Sequence, residues 1–156
     1  MIYVFDTGSL SKLKHFYPNV FKSVWIGLDS LVDDGSLLST REVWKEMQNG
    51  EPHKHTNEWL KARQHIFTVP SAEELKFVAQ IFLVPHFRSL IGEAQRLKGT
   101  PVADPFVIAA AKVRNGTVVT EERIKPGAAK IPNVCAHFKV PCIDLETFMQ
   151  GQNWEF

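Results

Sequence analysis

A three-layer α/β/α sandwich around a central, mainly parallel sheet is the fold this sequence predicts. Three observations carry that expectation. Short runs of β-forming apolar residues, at 2–5, 66–69 and 117–120, alternate with longer segments of helical periodicity. Strands separated by helices pair in parallel through crossovers, which place helices on both faces of the sheet. The runs are also almost continuously apolar, as strands buried on both faces are.

The elements follow in chain order. Residues 2–5 read as a central strand, broken by Thr7-Gly8-Ser9. Val20, Val24, Leu28, Leu31 and Val32 form a helical stripe that Asp33-Asp34-Gly35 ends. Leu37-Leu38 leaves room for a brief strand, after which Ser39 or Thr40 caps a helix running to about Gly50. A helix over 57–64 leads into the strand at 66–69. Ser71 with Glu74 three residues on has the spacing of a capping box, and the face of the helix it opens is Leu75, Val78, Ala79 and Phe82. Pro85 interrupts, and a helix resumes over 87–97. Residues 105–113 are apolar on most sides and predict a deeply buried helix. Asn115-Gly116 turns into the strand at 117–120; a loop to about Pro132 and a possible strand at 141–143 come next. Asp144 caps a last helix bearing Leu145, Phe148 and Met149.

At 156 residues, with no repeat and no linker rich in Gly, Ser or Pro, the whole of 1–156 reads as a single domain. Eighteen Lys and Arg against 17 Asp and Glu exclude a protein held to nucleic acid by bulk charge alone. The distribution is less even. Between Pro85 and Lys130 eight bases stand against four acids, so that stretch carries +4 and the remainder −3. No segment is long and apolar enough to span a membrane, and no secretory leader is apparent at the N-terminus. Cys135 and Cys142, seven apart, read as reduced, buried thiols, so a cytoplasmic protein is expected.

In doubly covered parallel sheets ligands bind beyond the carboxyl ends of the strands. Asp6 directly follows the first strand, and Glu121-Glu122 directly follow the strand at 117–120. Each acid has an ordinary reading: Asp6 as a helix cap, Asp104 before Pro105 as an N-cap, and Glu42 and Glu46 as surface charges one turn apart. The other candidates are weaker. His53 and His55, two apart in a loop, lack companion ligands, and there is no glycine-rich phosphate loop.

The order of the acids is more specific than any one of them. Ile2-Tyr3-Val4-Phe5-Asp6-Thr7-Gly8, the Ser39–Met47 stretch containing Glu42 and Glu46, Ala103-Asp104-Pro105 opening an apolar helix, and Val118-Val119-Thr120-Glu121-Glu122 together resemble the PIN-domain nuclease family. The likeness is to its VapC-like toxins and runs from residue 1 to about 150. It implies a PIN-like fold and hydrolysis of RNA phosphodiesters with Mg²⁺ or Mn²⁺. Asp6, Glu46 and Asp104 would be the central ligands, and Glu122 would complete the cluster directly or through water. Thr7 and Thr120 would position ligands or water. Glu46 is preferred to Glu42 because Glu46-Met47-Gln48-Asn49-Gly50 matches the family's Glu–apolar–x–x–Gly ending. The family usually carries Asp where Glu122 stands, and Glu121 is the alternate there. Arg123, Lys125 and Lys130 are the candidates for the substrate backbone. The resemblance further implies an antitoxin partner and a homodimer. The competing reading is a PIN-like module that binds RNA or a protein without catalysis.

Overall fold

Residues 1–50, 53–90 and 102–155 are described by the structure, a computed structural model. Strand β1 (Tyr3–Phe5) runs directly into helix α1 (Thr7–Lys12) and a 3-10 turn, Leu13–His15. Helix α2 (Lys22–Asp33) leads to β2 (Leu37–Thr40), which passes without a loop into α3 (Arg41–Gln48). Then come α4 (Lys54–Ala62), β3 (Phe67–Thr68), α5 (Ala72–Leu83) and a 3-10 segment, Pro85–Leu90. The chain closes with α6 (Asp104–Val113), β4 (Thr117–Val119), α7 (Ile131–Phe138), β5 (Cys142–Ile143) and α8 (Leu145–Gly151).

The strands form one sheet in the order β3-β2-β1-β4-β5, with every neighbouring pair parallel. Tyr3 pairs with Leu37 on one side and Thr117 on the other, so β1 is the central strand. The chain winds outward from β1 through β2 to β3, then returns to the opposite side of β1 as β4. The point where the winding reverses lies between β1 and β4, and at such a point the crossovers diverge and leave a crevice at the strands' carboxyl ends.

Side chains alternate across the sheet. Tyr3 and Phe5 meet the fully buried Phe148 of α8 edge-on, with ring centroids 4.9 and 5.0 Å apart. Burying a ring of that size is worth about 1.5–3 kcal/mol. Helix α6 packs against β1, β2 and β4 and is itself covered by α5 and α7, which explains why Val107 to Ala111 are buried. The result is the expected α/β/α sandwich.

Several local expectations change. Helix α1 occupies the segment read as a break, because Asp6 caps it and Gly8 is carried inside. Helix α7 was missed: it is only eight residues long, with Pro132 in its first turn and Lys139 closing it in the left-handed conformation. Val20 lies before α2 and is 70% exposed, outside the stripe. The strand at 66–69 shrinks to Phe67–Thr68, with Ile66 in a 3-10 turn and Val69 exposed.

Helix α5 is rotated from its expected face. It buries Glu74, Phe77, Val78 and Ile81 and leaves Leu75 exposed. Glu74 turns inward because Arg114, at the end of α6, pairs with it there. A reading by apolar spacing cannot choose a face that contains a paired carboxylate. The helix expected over 87–97 begins as the 3-10 segment, and its remainder lies outside the described residues. Trp154 packs inside the chain: its ring meets Phe148 and lies so close over Gly27 that a Cβ there would stand 2.3 Å from it.

Candidate functional site

The carboxyl end of β1 is built around Asp6. Its Oδ1 accepts the Ser9 amide at 2.8 Å, capping α1, and its Oδ2 accepts the Thr120 hydroxyl at the end of β4. The ordinary reading as a cap and the reading as a cluster member are therefore both satisfied, by different oxygens. The Asp6 amide and the Ser9 hydroxyl each donate to the Val119 carbonyl, at 3.1 and 2.9 Å. These bonds hold the ends of β1 and β4 together. Burial pushes the Asp6 carboxyl above its ordinary range, against the pull of its Thr120 and Ser9 hydrogen bonds.

Asp104 stands across the cleft as the first residue of α6, and it does not act as the cap. No protein donor among the described residues bonds its carboxylate. Its pKa is pushed up to about 7, first by burial and then by the charges of Glu122, Glu46 and Asp6. Lys130 pulls it back. Asp104 thus feels the charges of carboxylates from three other segments.

Glu46 reaches this cleft from α3, whose N-terminus Thr40 caps by accepting the Val43 amide at 3.3 Å. Glu46 Oε2 accepts the Ala103 amide at 3.3 Å, tying α3 to the residue before Asp104. Glu42, one turn earlier, is buried against Arg41 at 2.8 Å and does not line the cleft. Of the two, the structure brings Glu46 to the other acids.

The pair after β4 divides in a comparable way. Glu122 Oε2 accepts the Ile131 amide at 2.9 Å, at the start of α7, and its own amide donates to the Thr120 hydroxyl at 3.1 Å. Glu121 also borders the cleft, but its charge is matched by the Lys12 ammonium of α1 at Oε2, while its Oε1 accepts the Leu145 amide at 2.8 Å. Glu121 therefore bolts α1 and α8 to the end of β4. Glu121→Gln is expected to lower stability by ~1 kcal/mol in urea unfolding and to leave any phosphodiester cleavage within about threefold of wild type. Glu122→Gln is expected to reduce cleavage more than tenfold in the same assay.

Asp6, Thr7, Gly8, Glu46, Asp104, Glu121 and Glu122 line one open cleft of about 290 Å³ at the reversal of the sheet. A larger groove of about 710 Å³ continues past Glu121 and Glu122 towards Arg123, Ile124 and the end of β5. Among the three basic candidates, Lys130 acts on the Asp104 charge, while Arg123 lines the groove and acts on Asp144. Lys125 lies on the loop between, with its backbone held by the Asn133 amide group at 2.8 and 3.3 Å.

Hard oxygen donors around an open cleft suit Mg²⁺ or Mn²⁺, and Mg²⁺ needs only one or two carboxylates because it keeps several waters. Among the described residues no three acid, histidine or cysteine side chains already close into a ligand cage. Glu46 and Glu122 are turned to backbone amides, while Asp104, raised by burial and then by the repulsion of the neighbouring acids, holds a proton near neutrality. A cation would relieve that repulsion. Asp6, Glu46, Asp104 and Glu122 are oxygen donors of the class such an ion takes, and they are the residues that would hold it. Ser9 and Lys12 were not singled out from sequence. Ser9 stands three residues after Asp6, the spacing of a cap, whereas Lys12 and Glu121 are 109 residues apart with no local signal to join them.

The sequence matches the model of a family described as Domain of unknown function (DUF4411) over residues 3–156. No curated protein matches it. Among solved structures it is similar to VapBC2 from Rickettsia felis bound to a DNA fragment from their promoter, at 15% identity and a TM-score of 0.48, covering 92% of this chain and 98% of that one. It is also similar to PAE2754 from Pyrobaculum aerophilum, at 18% identity and a TM-score of 0.47, covering 96% and 94%.

Proposed function

The chain belongs to the DUF4411 family, and we propose that it is a metal-dependent endoribonuclease that hydrolyses RNA phosphodiesters at the four-carboxylate cleft. The observation that carries this reading is the convergence of Asp6, Glu46, Asp104 and Glu122 on one cleft where the sheet reverses, with the Asp104 carboxyl raised to about 7 by burial and by the charges of the other three. The resemblance of the four motifs to PIN-domain nucleases supports it independently.

In this reading Asp6, Glu46 and Asp104 hold Mg²⁺ or Mn²⁺, and Glu122 completes the set directly or through water. An ion held there would lower the pKa of a water and offset charge on the displaced oxygen. The chain's own residues fix the geometry. Thr120 and Ser9 hold the two oxygens of Asp6, so that carboxylate cannot swing away. Thr7 lines the cleft beside Gly8, its hydroxyl enclosed and without a hydrogen-bond partner among the described residues. Lys130, close enough to act on Asp104, offers a positive charge to the substrate backbone. Phosphate contacts of this kind position the strand and leave its sequence to be read by shape.

The motif resemblance extends the proposal to biology: the toxin of a toxin–antitoxin pair, held in check by a protein antitoxin and assembled as a homodimer. The test of the activity is direct. Purified protein is expected to cut single-stranded or structured RNA in Mg²⁺ or Mn²⁺, and to stop when EDTA is added. RNA that is bound but stays intact in both metals would replace the nuclease reading with that of a binding module.

A further inference from the structure

Two buried thiols are expected from the sequence, and the structure divides them. Cys135, in α7, is fully buried, whereas Cys142, the first residue of β5, is partly exposed. The chain reverses between them. Lys139 closes α7 in the left-handed conformation, and the Val140 amide donates back to the Cys135 carbonyl at 2.9 Å. The strand β5 then runs beside β4, with Cys142 opposite Val118, and packs against α7. This brings the two sulfurs together: the Cys135 thiol donates a hydrogen bond to the Cys142 sulfur. That bond, with burial, holds the Cys135 thiol protonated, and the same bond favours the thiolate of Cys142.

The strand β5 is at the edge of the sheet. Beside it runs the groove of about 710 Å³, with Pro132 and Ala136 of α7 on one side and Val140, Cys142 and Ile143 on the other. A small molecule in the groove meets Cys142, while Cys135 lies behind it with no exposed surface. Glu121, Glu122 and Asp144 also border the groove, so an uncharged molecule enters it at less cost than an anion.

One accessible thiol backed by a second, buried one has the arrangement of an attacking and a resolving cysteine. We propose that Cys142 and Cys135 form a thiol–disulfide exchange site that takes a small, uncharged disulfide from the groove and ends as a Cys135–Cys142 disulfide. The Cys142 thiolate attacks one sulfur of the incoming disulfide and breaks its S–S bond. The departing thiolate takes up the proton that Cys142 released. Cys135 then gives up its proton, attacks the Cys142 sulfur and expels the second small thiol, which leaves protonated. The protein pair loses two electrons and the small disulfide gains them, so no other oxidant is needed. Sulfurs already in contact have only to close to about 2.05 Å. The exchange does not depend on the nuclease reading. It does tie together two elements that support the acids after β4: the Ile131 amide of α7 holds Glu122 at 2.9 Å, and the Ile143 carbonyl of β5 accepts the Thr120 amide at 3.0 Å.

The experiment incubates the reduced protein with excess 2-hydroxyethyl disulfide in EDTA. Free thiols are counted, the intact mass is measured, and peptide mapping locates the linkage. Wild type, Cys135→Ala and Cys142→Ala are compared, with thermal melts to confirm folding. Wild type is expected to lose both thiols, to become lighter by two hydrogens with no adduct retained, and to regain both thiols in dithiothreitol. Cys135→Ala is expected to keep one hydroxyethylthio adduct on Cys142. Cys142→Ala is expected to react at least about tenfold more slowly than wild type, because its remaining thiol is buried. The site is overturned if folded wild type keeps both thiols, if it ends with a stable adduct on Cys142, or if its disulfide joins two chains. Cys142→Ala reacting as fast as wild type would overturn it equally. Should either variant fail to fold, the mass and linkage of the wild type decide alone.

Discussion

Asp104→Asn is expected to reduce RNA cleavage by about 10³-fold or more, equivalent to ~4 kcal/mol of lost transition-state stabilisation, while the protein stays folded. The side chain makes no hydrogen bond to the protein among the described residues, so replacing it removes charge without removing a structural contact. Asp6→Asn is expected to lose a similar factor for the same electrostatic reason. Its amide oxygen still caps α1 through the Ser9 amide, and the Thr120 hydroxyl can turn to accept from the new amide nitrogen. Asp6→Ala is the less informative variant, because losing the cap alone removes about 1 kcal/mol of stability. Single-turnover cleavage of a labelled RNA, alongside far-UV circular dichroism, separates loss of chemistry from loss of fold. Cleavage within tenfold of wild type in both Asn variants would remove the two acids from the reaction.

The second large effect is on stability, and its sign follows from the charges. The Asp104 carboxyl has a folded-state pKa of about 7 against an ordinary 3.8. Between those values the folded protein binds the proton and the unfolded chain does not. Stability from this group therefore declines as pH rises from about 4 to 7 and is flat above. Asp6, also raised, contributes in the same direction. Without divalent metal, Asp104→Asn is accordingly expected to be more stable than wild type at pH 8, by an amount on the order of 3 kcal/mol. The difference should vanish near pH 4. Melting temperatures in EDTA across that range measure it. A wild type that gains stability steadily from pH 4 to pH 8, with Asp104→Asn following in parallel, would mean that burial and the neighbouring acids do not raise the Asp104 carboxyl. Mg²⁺ at a thousand times its dissociation constant should reverse the order of the two proteins at pH 8, since an ion bound only by the folded state then adds about 4.1 kcal/mol. Such a cluster destabilises the fold that carries it, as functional sites often do.

The layers of the fold and the position of the site were legible because local signals and chain order agreed. An apolar strand ending at Asp6, a capped helix carrying Glu46 and an Asp-Pro pair opening an apolar helix each had a local mark. Asp104 was assigned an ordinary capping role as one option, and the structure instead makes it the first helical residue. What could not be read was set by contacts between distant segments. Spacing puts Glu42 and Glu46 on nearly one face; the first is buried with Arg41 paired to it, and the Ala103 amide meets the second at the cleft. Adjacent strand-end residues point apart, yet which of Glu121 and Glu122 has its oxygens occupied depends on Lys12 and Leu145. The rotation of α5 depends likewise on Arg114, forty positions away from Glu74.

The central claim is that the four carboxylates form a divalent-metal site, and titration with Mn²⁺ followed by electron paramagnetic resonance tests it most directly. Wild-type protein at pH 8 is expected to bind Mn²⁺ saturably, with at least one ion per chain, and Mg²⁺ should compete for the same site. Asp6→Asn and Asp104→Asn should each abolish that binding while Glu42→Gln retains it. A wild type that takes up no more Mn²⁺ than the two Asn variants would contradict the account.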